Sequence, residues 1–426
     1  MNSNNQVWTY SGTIGQHEII IETGKLAGQA DGAVTVRSGD TVVLVTATSS
    51  KEPREGTDFL PLIVDYEERL YAAGKIPGSF FRREGRPSES AILLCRLADR
   101  PLRPLFPDGY RNEVQIIITA LSADQENPPD ILGIIGASAA LTISDIPFDG
   151  PVGAVRVSLD ENGGFVFNPT ISETDRSVLD LRLAGTSEAI SMIEARANEV
   201  DEETILAAVS AGHQAMQGII ELQNQMRAEI GKPKREYRAF LPAAEVETEV
   251  RSWLGDRLAQ VMSETHDKEE REEALDTIRS EAITYFSERF EEADVKTVFQ
   301  AVLKETARRS ILEHNRRPDG RDSVTIRPVN CEVGLSPRAH GSGLFTRGAT
   351  QVLTIATLGT IRQEQMLDGL SPHESKRYLH HYNFPPFSTG ETWFLRGPKR
   401  REIGHGALAE TALRPMIPPE EGFPYT

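Results

Sequence analysis

The chain repeats part of itself. Residues 32–48 and residues 341–357 align without a gap, and the same amino acid stands at seven of the aligned positions. The seven are Gly32, Gly39, Thr41, Val43, Leu44, Ala47 and Thr48, which recur as Gly341, Gly348, Thr350, Val352, Leu353, Ala356 and Thr357. A repeat of this kind predicts two copies of one structural unit. Each copy must then bury its own apolar face.

Two shorter matches extend the repeat. Arg82-Arg83-Glu84 recurs as Arg400-Arg401-Glu402, and Leu102-Arg103-Pro104 recurs as Leu413-Arg414-Pro415. The order of the matches is the same in both copies, which argues against chance similarity.

The repeat predicts three segments. Residues 1–235 form a β-rich first copy, residues 236–315 form an all-helical linker, and residues 316–426 form the first half of a second copy. A half-copy leaves one apolar face of its sheet uncovered. We therefore expect the chain to be a fragment, or to need the missing half in order to fold.

Local patterns agree with this division. Strands are predicted where β-branched residues concentrate, and helices where apolar residues follow a helical period. The predicted strands are 18–22, 42–45, 114–118 and 154–157, and the predicted helices are 88–100, 133–141 and one that follows Asp201. Residues 240–312 carry apolar residues at helical spacing among many charges, and we interpret that charge run as a solvated face.

Composition limits the classes of function. The net charge is −17, which argues against a protein that coats nucleic acid over its whole surface but leaves room for a local basic site. Cys95 and Cys331 are too few for a disulfide framework, and the sequence contains neither a signal peptide nor an apolar run of roughly 18–20 residues. We expect a cytoplasmic protein. P-loop, HExxH, CxxC and GxSxG motifs are absent from the sequence.

Phe80, Phe81, Arg82 and Arg83 combine aromatic rings with cations in a glycine-containing loop. Rings that stack on bases and guanidinium groups that hold phosphates suit single-stranded RNA. Alternatively, one ring packs inward and the arginines pair with nearby carboxylates such as those of Glu84 and Glu89.

A second basic run lies late in the chain, where Arg400 and Arg401 are followed by His405. Such a run indicates a polyanion site. His405 is either a hydrogen-bond donor to a phosphoryl oxygen or a structural residue.

Six motifs, in order, resemble the polynucleotide phosphorylase family: FFRREGRPSE (80–89), RPLRPLFPDGY (100–110), RPDGR (317–321), HGSGLFTRG (340–348), HYNFPPFSTGE (381–391) and PKRREIGHG (398–406). The resemblance implies an α+β fold with duplicated ribonuclease-PH-like cores (ribosomal protein S5 domain 2-like) joined by an all-helical domain. It also implies phosphorolytic 3′-to-5′ RNA degradation with release of nucleoside diphosphates, reversible polymerisation, Mg²⁺, a homotrimeric ring, and degradosome-type partners in mRNA turnover.

By the same resemblance, Phe80, Phe81, Arg82 and Arg83 form the loop that grips RNA. Arg321, Arg400, Arg401 and His405 are implied to line the active site of the second core.

The first core departs from the family pattern. Residues 126–130 lack the hydroxyls of the family's phosphate-binding segment, and residues 178–182 keep only Asp180 of the D-x-D-x-K element, with Arg182 in place of the lysine. We therefore expect a non-catalytic first core, no metal ligands in this chain, and an inactive fragment.

Two other classes of function compete with the phosphorolytic enzyme. One is a non-catalytic RNA-binding scaffold subunit of an exosome-like ring, which the degenerate first core favours. The other is an oligomerisation module without affinity for RNA.

Overall fold

The computed structural model describes residues 6–265 and 267–426, which divide into two compact units. One unit extends to Ala239 and also includes Gly359–Thr426, and the other is Phe240–Leu358. The half-copy predicted at 316–426 is thus shared between the two units, and the boundaries at 235 and 315 stay predictions.

The first unit begins with a six-stranded sheet. Its strands are β1 (Trp8–Ile14), β2 (His17–Thr23), β3 (Gly32–Ser38), β4 (Thr41–Ser49), β5 (Leu62–Glu67) and β6 (Val114–Ser122), in the order β1-β2-β3-β4-β6-β5. Only β5 and β6 pair in parallel. Along β3 and β4 every second residue is buried, because alternate side chains of a strand point to the same face.

Two helices pack on this sheet, α1 (Glu89–Leu102) and α2 (Pro129–Ile143). The hydroxyl of Ser88 accepts a hydrogen bond from the Ala91 N–H at 3.1 Å, which confirms Ser88 as the N-cap of α1. Helix α2 is buried from Ile131 to Ile143, and its small residues allow it to lie close to β3 and β4.

A second sheet completes the first copy. It contains β7 (Gly153–Leu159), β8 (Phe165–Phe167), β9 (Leu179–Gly185) and β10 (Ile190–Ala197), in the order β10-β9-β7-β8. Three helices accompany it: α3 (Ile171–Arg176), α4 (Glu202–Ala215) and α5 (Gln217–Ile230). The predicted strands and helices of residues 6–235 are confirmed.

The second unit is helical at first, as predicted. Its helices are α6 (Ala244–Leu254), α7 (Arg257–Glu264), α8 (Lys268–Phe286) and α9 (Glu292–His314), around a core that includes Val250, Phe286 and Phe299. A three-stranded sheet follows, formed by β11 (Val329–Val333), β12 (Gly341–Arg347) and β13 (Thr350–Ala356).

Residues 359–426, which return to the first unit, hold β14 (Gln365–Met366), β15 (Ser375–Lys376) and α10 (Arg400–Leu413). Short 3-10 helices occur in both units, at Leu70–Ala73, Arg103–Leu105, Ile361–Gln363, Pro386–Thr389 and Arg414–Met416. No helix within residues 6–265 and 267–426 combines the length and apolar character that a bilayer crossing needs.

The sequence repeat appears as two equivalent hairpins. Gly32 pairs with Ala47 in the β3–β4 hairpin, and the aligned Gly341 pairs with Ala356 in the β12–β13 hairpin. The turn glycine has a φ of 56° at Gly39 and 58° at Gly348, a conformation that glycine adopts without strain. The duplication predicted from sequence is confirmed for this element.

The two hairpins differ in burial. The aligned residues of β3 and β4 are covered by α2, whereas β13 is exposed at every position, including Leu353 and Ile355. The expectation of an uncovered sheet face in the second copy is therefore confirmed.

Helices α1 and α10 correspond in the two copies. Each has 14 residues, and each is followed by a 3-10 helix at the matching Leu-Arg-Pro motif. The match of Arg82-Arg83-Glu84 to Arg400-Arg401-Glu402 is wrong as a structural equivalence. The first triplet lies in the loop before α1, whereas the second lies in the first turn of α10. Three charged residues are too short a match to fix the register of an alignment.

Candidate nucleic-acid interface

The loop before α1 presents two aromatic rings to solvent. Phe80 is 94% exposed and Phe81 is 85% exposed, and their ring centroids lie 5.4 Å apart in an edge-to-face arrangement. The N–H of Gly78 donates to Asp368 Oδ2 at 2.8 Å, which fixes the start of the loop. The alternative that one ring packs inward is wrong.

The two carboxylates that could pair with Arg82 and Arg83 have other partners. Glu89 accepts a hydrogen bond from Lys376 Nζ at 3.2 Å. Glu84 accepts a hydrogen bond from the Leu70 N–H at 3.0 Å and lies 3.7 Å from Arg69. Main-chain hydrogen bonds at Glu84 itself and at Leu70 lower the pKa of Glu84. Within the part of the chain that the structure describes, the side chains of Arg82 and Arg83 form neither an ion pair nor a hydrogen bond. Both guanidinium groups are therefore available to an anionic ligand.

The backbone of the loop is also unusual. Arg82 has a φ of 51°, in the left-handed region that residues with a Cβ seldom adopt. The turn is closed by a hydrogen bond from the Arg82 N–H to the Ser79 carbonyl at 2.9 Å. Such conformations concentrate at ligand-binding segments.

Arg400 is used to attach α10 to the first sheet. Its Nη1 donates to the Val64 carbonyl at 2.8 Å, and its Nη2 contacts Asp65. Both partners belong to β5. Arg400 therefore has a structural role in addition to any contact with a ligand.

Arg401 and His405 lie one helical turn apart on α10, so they share a face. The guanidinium carbon of Arg401 is 5.2 Å from the centre of the Phe384 ring, and the His405 ring is 4.1 Å from that of Tyr382. Both side chains are exposed. This face of α10, next to the segment that contains Tyr382 and Phe384, offers a cation and an imidazole to solvent.

Arg321 belongs to the second unit, where it closes a turn. Its Nε donates to Asp319 Oδ2 at 2.9 Å, and its Nη1 donates to the Thr325 carbonyl. The four residues predicted to line an active site are thus divided, with Arg321 in one unit and Arg400, Arg401 and His405 in the other.

In the first copy, Asp180 and Arg182 belong to a cluster of ion pairs. Nε and Nη2 of Arg156 donate to Oδ1 and Oδ2 of Asp180 at 2.6 and 2.8 Å. Nε of Arg182 donates to Asp130 Oδ2 at 2.8 Å. Asp180 also lies 3.4 Å from Arg182. Burial alone would raise the pKa of Asp180, but Arg182 and Arg156 lower it. Arg182 also lies 3.6 Å from Glu194. The guanidinium groups of Arg156 and Arg182 are therefore already paired with carboxylates, which disfavours binding of a phosphate there.

Sequence analysis did not identify Arg156. The one available signal was a charged residue within the apolar strand Ala154-Val155-Arg156-Val157, because a charge in a buried strand requires a partner. The partner cannot be read from the sequence, since β7 and β9 pair only in the fold.

A divalent cation does not fit the first copy. Both oxygens of Asp180 are occupied by Arg156, and a second cationic group, Arg182, stands beside them. Among residues 6–265 and 267–426, no cluster of three or more His, Cys, Asp or Glu side chains has the geometry to hold a metal ion.

Family models match most of the chain. A model described as "3′ exoribonuclease family, domain 1" matches residues 15–147 and again residues 325–426, so it covers both copies of the repeat. A model of domain 2 of the same family matches residues 150–215. A third model, "Polyribonucleotide nucleotidyltransferase, RNA binding domain", matches residues 245–322.

Curated relatives agree with these models. A polyribonucleotide nucleotidyltransferase of Heliobacterium modesticaldum is 54% identical over 419 residues, which are 98% of this chain and 59% of the relative. One of Thermomicrobium roseum is 54% identical over 420 residues, 96% of this chain and 53% of the relative. The chain therefore spans less than two thirds of the length of these relatives. Among solved structures, rice (Oryza sativa) Rrp46 matches 53% of this chain and 98% of its own, with 14% identity and a TM-score of 0.39.

Proposed function

Because the chain belongs to the 3′ exoribonuclease family, we propose that the protein containing it degrades RNA from the 3′ end by phosphorolysis. The observation that carries the proposal is the similarity, over 98% of the chain, to a polyribonucleotide nucleotidyltransferase. The exposed loop of Phe80, Phe81, Arg82 and Arg83 supports it, because that loop combines stacking surfaces with unpaired cations.

In phosphorolysis, an oxygen of inorganic phosphate attacks the phosphorus of the last phosphodiester. A P–O bond forms with the incoming phosphate, and the bond to the 3′ oxygen of the preceding nucleotide breaks. The products are a nucleoside diphosphate and an RNA that is shorter by one nucleotide. The reverse reaction polymerises nucleoside diphosphates.

This reaction requires local positive charge on a chain with a net charge of −17. Two anions must approach each other, so cations have to offset their repulsion and the charge of the transition state. We assign this work to the second copy, where Arg401 and His405 are exposed on α10. Arg321 and Arg400 are proposed to support it. We infer that the first copy contributes RNA binding rather than catalysis, since Arg156 and Arg182 are already paired with carboxylates of the same copy.

Further proposals rest on the family alone. They are inorganic phosphate as co-substrate, Mg²⁺ as cofactor, a homotrimeric ring, degradosome-type partners and a cytoplasmic location.

A second candidate is a non-catalytic RNA-binding scaffold subunit of an exosome-like ring. The internally neutralised cluster of the first copy favours it. The match of the 3′ exoribonuclease model to both copies and the match to the nucleotidyltransferase RNA-binding domain favour the enzyme.

One experiment separates the candidates. The full-length protein is incubated with a labelled oligoadenylate in the presence and absence of inorganic phosphate, and the products are separated by chromatography. The enzyme releases nucleoside diphosphates only when phosphate is present. Nucleoside monophosphates in phosphate-free buffer would contradict phosphorolysis, and bound but intact RNA under both conditions would indicate the scaffold subunit. We expect the 426-residue chain by itself to bind RNA and release no nucleotide.

A further inference from the structure

The segment before α10 exposes three consecutive large apolar side chains. Trp393 is 66% exposed, Phe394 is 74% exposed and Leu395 is 82% exposed. Exposed aromatic residues that adjoin one another indicate a contact surface rather than scattered surface residues.

Each aromatic ring of this segment has a cation beside it. The Lys399 ammonium lies 5.2 Å from the centre of the Trp393 ring, and the guanidinium carbon of Arg396 lies 5.2 Å from the centre of the Phe394 ring. Both distances are within the range of cation–π contacts. Proteins bind single-stranded nucleic acid with aromatic rings that stack on the bases and with cations that contact the neighbouring phosphates.

The end of the segment approaches the side chain of Arg86. A Cβ built on Gly397 would lie 4.0 Å from Nη1 of Arg86, which is at the end of the Phe80–Phe81 loop. Both segments belong to the same compact unit and lead into the corresponding helices α1 and α10. Each therefore places an exposed aromatic pair ahead of its helix in its own copy of the repeat.

We propose that Trp393 and Phe394 form a second base-stacking site for the same single-stranded RNA that the Phe80–Phe81 loop binds, with Arg396 and Lys399 holding the adjacent phosphates. The proposal rests on the RNA-binding function proposed above. It commits to RNA because the rings are interleaved with cations on a chain that is acidic as a whole.

The test is binding of a short fluorescent oligoadenylate to the 426-residue chain, measured by anisotropy over a series of salt concentrations. Trp393→Ala and Phe394→Ala are each expected to weaken binding by about 5- to 100-fold, the loss typical of one base–aromatic stack. Because neither change removes a phosphate contact, the salt dependence should stay as in the unmodified chain. Trp393→Phe, which keeps a stacking surface, should retain most of the affinity.

Phe59→Ala is the matched control, since Phe59 is 64% exposed and belongs to the same unit. It should leave affinity unchanged. Lys399→Ala and Arg396→Ala should reduce the salt slope by about 0.7 for each lost phosphate contact.

The double variant Phe80→Ala, Phe81→Ala separates failure of this proposal from failure of the proposed function. If it weakens binding while Trp393→Ala and Phe394→Ala do not, the second site is wrong and the RNA-binding function stands. If neither the unmodified chain, shown to be folded by circular dichroism, nor the full-length protein binds RNA, both are wrong. If Trp393→Ala changes the oligomeric state in size-exclusion chromatography and leaves RNA affinity intact, the segment is a protein contact and the proposal is overturned.

Discussion

Arg156 and Asp180 form a bidentate ion pair inside the first copy of the repeat, with N–O distances of 2.6 and 2.8 Å and with 9% of each side chain exposed. Arg156 lies in β7 and Asp180 in β9, so the pair joins two neighbouring strands of the second sheet. One buried ion pair therefore contributes to the packing of that sheet.

Breaking this pair should destabilise the protein strongly. Asp180→Asn removes the bidentate partner of the buried Arg156 guanidinium and leaves it only the more distant Asp130, at 4.0 Å. The expected loss in the free energy of unfolding is about 3–5 kcal/mol. The measurement is urea denaturation at neutral pH. Asp40→Asn is the control, because Asp40 pairs with Arg37 at 2.9 Å on the surface, where such a pair contributes less than about 1 kcal/mol. Equal losses in the two variants would contradict the structural role of Asp180.

Asp124 should make stability depend on pH in the acidic range. Burial alone would raise its pKa, but hydrogen bonds from the main chain and side chain of Asn127 and from Glu126 and Thr41 lower it to about 2. A carboxyl whose pKa is lowered by folding contributes stability above its unfolded pKa of about 3.9, and that contribution is lost as the pH falls towards 2.

The unfolding free energy, measured by urea denaturation between neutral pH and pH 2, should therefore depend less on pH in Asp124→Asn than in the unmodified chain. Identical pH profiles for the two proteins would show that the hydrogen bonds at Asp124 do not stabilise its ionised form.

Gly136 marks a close contact between α2 and the first sheet. A Cβ built on it would lie 2.5 Å from Cγ2 of Val45 and 3.0 Å from Cγ2 of Val36. Both valines are buried, so they have little room to move. Gly136→Ala is expected to cost about 1–3 kcal/mol of unfolding free energy through overpacking.

Gly218→Ala is the comparison, because a Cβ on Gly218 in α5 would meet its nearest neighbour at 3.9 Å. Alanine favours helix over glycine by up to about 1 kcal/mol, so this variant should be as stable as the unmodified chain or more so in thermal unfolding. A similar loss in both variants would show that the α2 contact is not the cause.

Local features of the fold could be predicted from the sequence. The repeat of residues 32–48 in 341–357 followed from aligned residues, strand β4 followed from β-branched residues, and the start of α1 followed from the preference of serine for N-caps. The pattern that determines these elements lies within a few residues of each one.

Contacts between distant parts of the chain could not be predicted in this way. Arg400 donates to the Val64 carbonyl across more than 300 positions of sequence, and no local pattern specifies that partner. For the same reason no local pattern indicates that Gly397 lies near Arg86, or that Arg156 and Asp180 form an ion pair. Trp393 and Phe394 were overlooked because their exposure becomes visible only in the folded chain.

The most direct test of RNA binding by the loop before α1 is the affinity of the 426-residue chain for an oligoadenylate as a function of salt, with and without Arg82→Ala and Arg83→Ala. Loss of two phosphate contacts should weaken binding and lower the slope of log affinity against log salt by about 1.4. Lys51→Ala with Arg54→Ala removes the same charge from an exposed loop of the same unit and should change neither quantity appreciably. An arginine double variant with the affinity and slope of the unmodified chain would contradict the assignment of this loop to RNA.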